Sequence, residues 1–416
     1  MTTTDAAPPA TIRPPRPRGL LLGPAFVAAI AYVDPGNVAA NLTAGASYQY
    51  LLLWVLVLAN AIAVLVQYLS AKLGIVTGRS LPEVLGQRLP RSSRLAFWGQ
   101  AEIVAAATDV AEIIGGALAL QLLFGVPLVV GGLLTGAASL GLLLLTRYRG
   151  GRVFQNAVIA LLVVLSIGFC AGLLFAPPSP SGMLAGLVPR FEGTTSVLLA
   201  TSMLGATVMP HAVYLHSALT RDHHGHVAEG VDRRRVLKAT RVDVVLALIV
   251  AGAVNIAMLV LAASTLAGRS DTDTIPGAHR AITETLGPLV GLLFGIGLLA
   301  SGLASTSVGA MAGAEIMRGL LHVRIPLFVR RVVTLVPALI LLGTGVSPTW
   351  LLVLSQVVLS FGIVFALVPL VRATSDPALM GSGRNRLPTR IAAWAATGVV
   401  VALNLALIVL TVTGLG

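Results

Sequence analysis

The sequence predicts an all-α polytopic membrane protein with eleven transmembrane helices, and three observations predict it. Only 11% of the 416 residues are charged while 56% are hydrophobic, and the mean hydropathy is +0.91; an ordinary soluble domain carries about 25% charged residues. The apolar residues gather into eleven segments, each near the roughly 20 residues that cross a hydrocarbon core of about 30 Å. The basic residues crowd into every second connection. This composition excludes a disordered chain, and since a soluble chain of this length needs charge to cover its core, it argues against an ordinary soluble enzyme. The same composition excludes a nucleic-acid-binding basic protein, although the net charge is +12.

Taken in order, residues 1–18 are rich in Pro and Arg and read as a disordered cytoplasmic tail without the layout of a cleaved signal peptide. Residues 19–416 read as a single transmembrane domain. Its spans fall at 20–45, 51–72, 97–124, 128–146, 153–175, 194–220, 239–265, 288–317, 331–346, 349–371 and 391–414. Glycine pairs such as Gly115-Gly116 and Gly131-Gly132 suit close helix packing. Cys170, the only cysteine, sits in an apolar run and leaves no disulfide to form within the chain. His223, His224 and His226 follow the sixth span and read as a solvated loop, and Arg233-Arg234-Arg235 as a stop signal.

Arginine and lysine orient these spans, because cytoplasmic connections retain them. With the N-terminus in the cytoplasm and the C-terminus outside, 25 of the 28 basic residues fall on the cytoplasmic side, and only Arg190, Arg269 and Arg280 fall outside. Removing one span from the middle would scramble that division. The expected location is the plasma membrane.

Two spans carry helix-breaking clusters at mid-depth. The first holds Asp34-Pro35-Gly36-Asn37; the sixth holds Met209-Pro210-His211, with Gly205 upstream. Proline removes an amide donor and clashes with the preceding turn. These are corresponding positions if spans 1–5 and 6–10 are two repeats, about 19–175 and 194–371, with the eleventh helix added. Five helices per repeat is an odd number, so the repeats run in opposite senses. Paired broken helices are the sequence mark of a transporter's central site. Asp34 brings a carboxylate there, Asn37 an amide oxygen, unwound backbone near Ala206 a free carbonyl, and Met209 a thioether. Oxygens alone suit hard cations; a thioether favours softer transition metals.

In the third span, spacings of seven and three residues put Glu102, Asp109 and Glu112 within about 80° on one helix face. Such a stripe cannot face lipid, and it reads as a proton relay, as a network paired with arginines such as Arg330 and Arg331, or as both. His211, beside the second break, can titrate near neutral pH.

Together these stretches resemble the signature motifs of the Nramp family (natural resistance-associated macrophage proteins), whose bacterial members are proton-dependent manganese transporters. The resemblance runs from about Leu20 to about Arg372. It is supported by Gly23-Pro24-Ala25-Phe26, Ser301-Gly302, Ser305-Thr306, Arg330-Arg331 and the run from Ser355 through Gln356 to Ser360. It implies the inverted five-plus-five fold of the leucine-transporter type with one extra helix, and import of Mn²⁺ and Fe²⁺ together with protons. By resemblance the metal ligands are Asp34, Asn37, Met209 and the Ala206 carbonyl, joined in some conformations by the Ala31 carbonyl, Gln67 and Gln356. His211, Glu102, Asp109 and Glu112 carry the proton, with Arg330 and Arg331 as counter-charges, and Asn60 and Asn255 line the vestibule. The chain departs from the family pattern at Phe361–Phe365, at Arg221 and His223, and at Leu303 and Glu315.

The expectation is therefore a monomeric secondary transporter in the lipid bilayer, with a divalent metal and protons as substrates and no cofactor, nucleic-acid partner or enzymatic activity. Two rivals stay open on the residues alone: a transporter of the same fold carrying an organic substrate, and a membrane-embedded metalloenzyme.

Overall fold

The computed structural model describes residues 23–149, 151–269, 271–323 and 326–413. The expected tail at 1–18 lies outside them. The described residues form α1 (Pro24–Ala29), α2 (Pro35–Tyr48), α3 (Leu53–Thr77), α4 (Leu81–Arg88), α5 (Arg91–Phe124), α6 (Leu128–Arg149), α7 (Gly151–Cys170), α8 (Pro180–Gly186), α9 (Gly193–Thr207), α10 (Pro210–His224), α11 (Val231–Thr265), α12 (Ile275–Leu286), α13 (Pro288–Leu321), α14 (Leu327–Gly343), α15 (Pro348–Ser375), α16 (Pro377–Met380) and α17 (Leu387–Thr413). Short 3₁₀ turns intervene at Ile30–Val33, Ala171–Leu174 and Gly381–Gly383. Eight helices among the described residues are long and apolar enough to cross a membrane, counting Gly193–His224 as one; Pro24–Val33 and Leu128–Leu142 are shorter apolar helices.

Helix boundaries follow local chemistry, and several differ from those read from hydropathy. The third apolar segment, expected at 97–124, begins at Arg91 behind Pro90, and the seventh, expected at 239, begins at Val231 behind Gly230. Hydropathy registers the greasy stretch, whereas the helix continues through polar residues until a cap or proline ends it. The helices α4, α8, α12 and α16 were not expected, because each is short and lies between spans. Their starts are nevertheless written in the sequence: Ser80 and Glu83 form a reciprocal capping box on α4, while Ser179, Thr274 and Asp376 cap α8, α12 and α16.

Packing arranges these helices around the two interruptions. The α13 helix lies along α5 and α7, α11 runs along α2 and α3, α10 along α3, and α15 crosses α9, α5 and α2. One contiguous apolar core runs through nearly all of them. The helix pairs α1–α2 and α9–α10 therefore sit at the centre, enclosed by α3, α5, α11, α13 and α15.

Candidate functional site

Between α1 and α2 the chain passes through the 3₁₀ turn and turns extended at Asp34 (ψ 171°), whose carboxylate accepts the Asn37 amide at 2.7 Å and so caps α2. Carbonyls freed by this break need partners, since no water is available in hydrocarbon. Asn255 Nδ2 donates to the Tyr32 carbonyl at 2.7 Å, and Ser301 Oγ to the Val33 carbonyl at 2.6 Å. Asn255 in turn accepts from Asn41 Nδ2 at 2.9 Å. Asp243 on α11 accepts the amides of Gly23 and Ala25 at 2.9 and 3.2 Å, fixing the start of α1. The second break falls at Val208 and Met209, where proline at the first position of α10 excludes a continuous helix.

The two breaks meet. Asn37 Nδ2 donates to Asp34 Oδ1 at 2.9 Å and to the Ala206 carbonyl at 3.0 Å, across 169 residues of chain. Gln356 Nε2 reaches Asp34 Oδ2 from α15 at 3.3 Å. Asp34, Asn37, Gln356, Ala206 and Met209 are all fully buried. Gln356 fits only because both breaks carry glycine there: a Cβ on Gly36 would stand 1.7 Å from its amide nitrogen, and one on Gly205 would stand 2.0 Å from its carbonyl. Asn37 Oδ1 and Gln356 Oε1 have no hydrogen-bond partner among the described residues. An orphaned buried acceptor typically costs about 1–3 kcal/mol, so this cluster has unspent capacity to bind a cation. Among the described residues no three His, Cys, Asp or Glu side chains gather as a metal cluster; the set here is one carboxylate, amides, a carbonyl and a thioether.

Of the other expected ligands, Ala31 lies buried in the 3₁₀ turn, but Gln67 is turned elsewhere. It bonds the Tyr32 hydroxyl and stands 2.6 Å from His216 Nδ1. Asn255 is a clasp for the unwound turn in this structure, and Asn60 lies against Gly252 at the α3–α11 contact.

The acids of α5 divide in a way the spacing did not reveal. Asp109 and Glu112 are buried, whereas the Glu102 side chain is 27% exposed and is not deep in the bundle. Two arginines of α14 approach these acids: Arg331 lies 3.5 Å from Asp109, and Arg330 3.0 Å from Glu102. Among the described residues neither oxygen of Glu112 meets hydrogen-bond geometry with a partner. Glu112 sits one turn from Gly115, which packs on the ring of Pro35 and so touches the first break. His211 Nδ1 stands 3.5 Å from Thr108 Oγ1, linking the second break to α5.

Sequence reading missed Asp243 and the ion-pair cluster around Arg221. Asp243 lies buried within α11, so buried carboxylates are not confined to Asp34, Asp109 and Glu112, and Glu315 of α13 is partly buried. At one end of the bundle Arg221 lies 2.7 Å from Glu83 and 3.4 Å from Glu315, which is itself 2.8 Å from Arg318. This cluster ties α4, α10 and α13 together. Glu83 was legible as half of a capping box; its second partner, 138 residues away, was not.

The description "Natural resistance-associated macrophage protein-like", the Nramp family, matches residues 25–410. The chain belongs to the Nramp family. It is 60% identical over 394 residues to the divalent metal cation transporter MntH of Mycobacterium tuberculosis, covering 95% of this chain and 92% of that one. The manganese transporter of Eremococcus coleocola, crystallised with an aromatic bis-isothiourea compound, superposes with a TM-score of 0.83 at 28% identity, covering 93% and 85% of the two chains. MhsT in complex with L-phenylalanine shares the fold at a TM-score of 0.60 and 15% identity. An Nramp chain with eight helices of membrane-crossing length among its described residues is a multi-pass membrane protein, and its family is one of transporters, not enzymes.

Proposed function

We propose that this Nramp protein is a secondary transporter that imports divalent transition-metal cations, Mn²⁺ and Fe²⁺, into the cytoplasm together with protons. In this reading eleven spans, with spans 1 and 6 broken, form two inverted five-helix repeats plus one helix, and a monomer lies in the plasma membrane with its N-terminus cytoplasmic and its C-terminus outside. The observation that carries the reading is the Asn37 amide bridging the Asp34 carboxylate and the Ala206 carbonyl. Two helix breaks from distant parts of the chain thereby offer oxygens to one point. A cation at that point takes over the Asp34 and Ala206 oxygens, with the Asn37 amide turned to present its own, and Met209 adds a soft donor. The Gln356 amide oxygen is available beside it.

Charge makes the direction favourable. An inside-negative potential assists cation entry by about 2.3 kcal/mol per charge per 100 mV. Proton movement is assigned to His211, Asp109, Glu112 and Glu102, with Arg330 and Arg331 balancing the acids. An organic anionic substrate fits less well, because the N-terminus of α2 is capped by the chain's own Asp34 carboxylate.

Uptake of Mn²⁺ into proteoliposomes under an inward proton gradient tests the reading. The wild type accumulates Mn²⁺ and acidifies the lumen as it does so; Asp34→Ala, lacking the only carboxylate at the breaks, does not accumulate it. Absence of wild-type uptake, or full uptake by Asp34→Ala, overturns it.

A further inference from the structure

A basic cavity lies away from the helix breaks. It has a volume of about 640 Å³ and lies where α3 ends, α11 begins and the segment between α16 and α17 passes over them. Six cationic side chains line it, Lys72, Arg233, Arg234, Arg241, Arg384 and Arg386, against the single carboxylate of Glu229. That carboxylate is already engaged by Arg233 at 3.3 Å and by the Ser382 hydroxyl. Lys72 donates to Asn385 Oδ1 at 2.9 Å, and Arg241 lies 5.6 Å above the ring of Tyr68. The guanidinium groups of Arg234, Arg384 and Arg386 make no ion pair among the described residues. Topology requires positive charge on this side of the chain, but it does not require six cations around one hollow.

A second, smaller cavity of about 160 Å³ adjoins the first and shares Tyr68 and Arg241 with it. Its remaining lining is apolar: Ala61, Val64 and Leu65 of α3 and Val245 of α11. None of these four is buried in the core, so they form an apolar groove on the outer face of the α3–α11 pair. A basic hollow that runs into an outward apolar groove matches a molecule with a phosphate-bearing head and a hydrocarbon tail. Basic pockets between membrane helices on the cytoplasmic side are suited to such head groups. An excess of five cations exceeds what a single phosphate neutralises.

We infer that this basic cavity and its adjoining groove bind an anionic phospholipid carrying more than one phosphate charge, with the head group among Arg234, Arg384 and Arg386 and an acyl chain along Val64 and Val245. The bound lipid bridges α3, α11 and the α16–α17 connection and so fastens the last helix to the rest of the bundle. The shared chemistry is polyvalent phosphate; the groove assigns its source to lipid and not to a soluble phosphate.

Native mass spectrometry of the delipidated full-length protein tests this with three probes: cardiolipin, phosphatidylcholine and inorganic pyrophosphate. Cardiolipin binds at least tenfold more tightly than phosphatidylcholine. The double variant Arg234→Gln/Arg386→Gln weakens cardiolipin by on the order of tenfold or more, while Arg234→Lys/Arg386→Lys retains it. Val64→Trp, which fills the groove without removing charge, weakens cardiolipin several-fold and leaves pyrophosphate binding unchanged. Equal binding of the two lipids, or cardiolipin binding indifferent to the Gln variant and to Val64→Trp, overturns the proposal. Pyrophosphate binding as tightly as cardiolipin, with both indifferent to Val64→Trp, assigns the cavity to soluble phosphate and also overturns it. Melting temperatures of all variants within a few degrees of wild type establish that they are folded.

Discussion

A thioether among oxygens changes what a cation site prefers, because sulfur is a poor ligand for Mg²⁺ and Ca²⁺ and a good one for softer metals. Met209 is the cap residue of α10, fully buried and adjacent to the only proline in that break. Met209→Ala is therefore expected to keep Mn²⁺ uptake measurable while letting Ca²⁺ compete at concentrations it does not reach in the wild type; unchanged Ca²⁺ competition would remove the thioether from the selectivity argument. Gly205 makes a different demand. Its missing side chain admits the backbone of Gln356, which a Cβ would meet at 2.0 Å. Overpacking of this kind costs typically about 1–3 kcal/mol, so Gly205→Ala should lower the melting temperature and separate Gln356 from Asp34. The sequence displayed Asp34, Asn37, Met209 and Gly205 openly, since a carboxylate, an amide and helix breakers stand out in an apolar run. It concealed the use made of Gln67 and Asn255. An amide in a span shows that a partner exists but not which partner, and here they are His216 with Tyr32, and the Tyr32 carbonyl with Asn41.

Among the elements, α4 was invisible to hydropathy yet organises one end of the bundle. Its Glu83 is partly buried, which opposes ionisation. The Ser80 backbone amide and the Arg221 guanidinium outweigh that burial and hold the carboxyl below its usual range. A carboxyl whose folded value is depressed adds stability above its unfolded value, about 4.3, and loses it as pH falls through the folded value. The α4–α10–α13 closure should accordingly loosen below pH of about 4 and not near neutrality. Hydrogen exchange of α4 amides at successive pH values checks this, and in Arg221→Ala the α4 amides should exchange faster already at neutral pH. Loss of protection centred near pH 6 would transfer the effect to a histidine.

Across the whole molecule, composition and the positions of basic residues marked out the apolar segments well, because the lipid requirement acts on every residue of a span. Pairings between elements were less legible. Arg330 and Arg331 adjoin in sequence yet engage different acids seven residues apart on α5, which follows from helix geometry only once α14 is known to lie on α5. The crowding of cations around the basic cavity was hidden for a similar reason. Lys72 near the end of α3, Arg234 at the start of α11 and Arg386 before α17 are far apart in sequence, and each is accounted for individually by membrane topology.

The clasps on the first break bear on how the chain is made. Tyr32 and Val33 are held by Asn255 and Ser301, and the start of α1 by Asp243, all contributed by α11 and α13 in the second half of the chain. A ribosome therefore delivers the start of the broken first span to the membrane 220 residues before the first of those clasps exists. Until then its open carbonyls have no settled partner within the nascent chain, and that interval is when the chain depends most on protection during insertion. A fragment ending after His224 should be degraded faster in cells than the full chain and should regain its lifetime when residues 225–413 are co-expressed as a second piece.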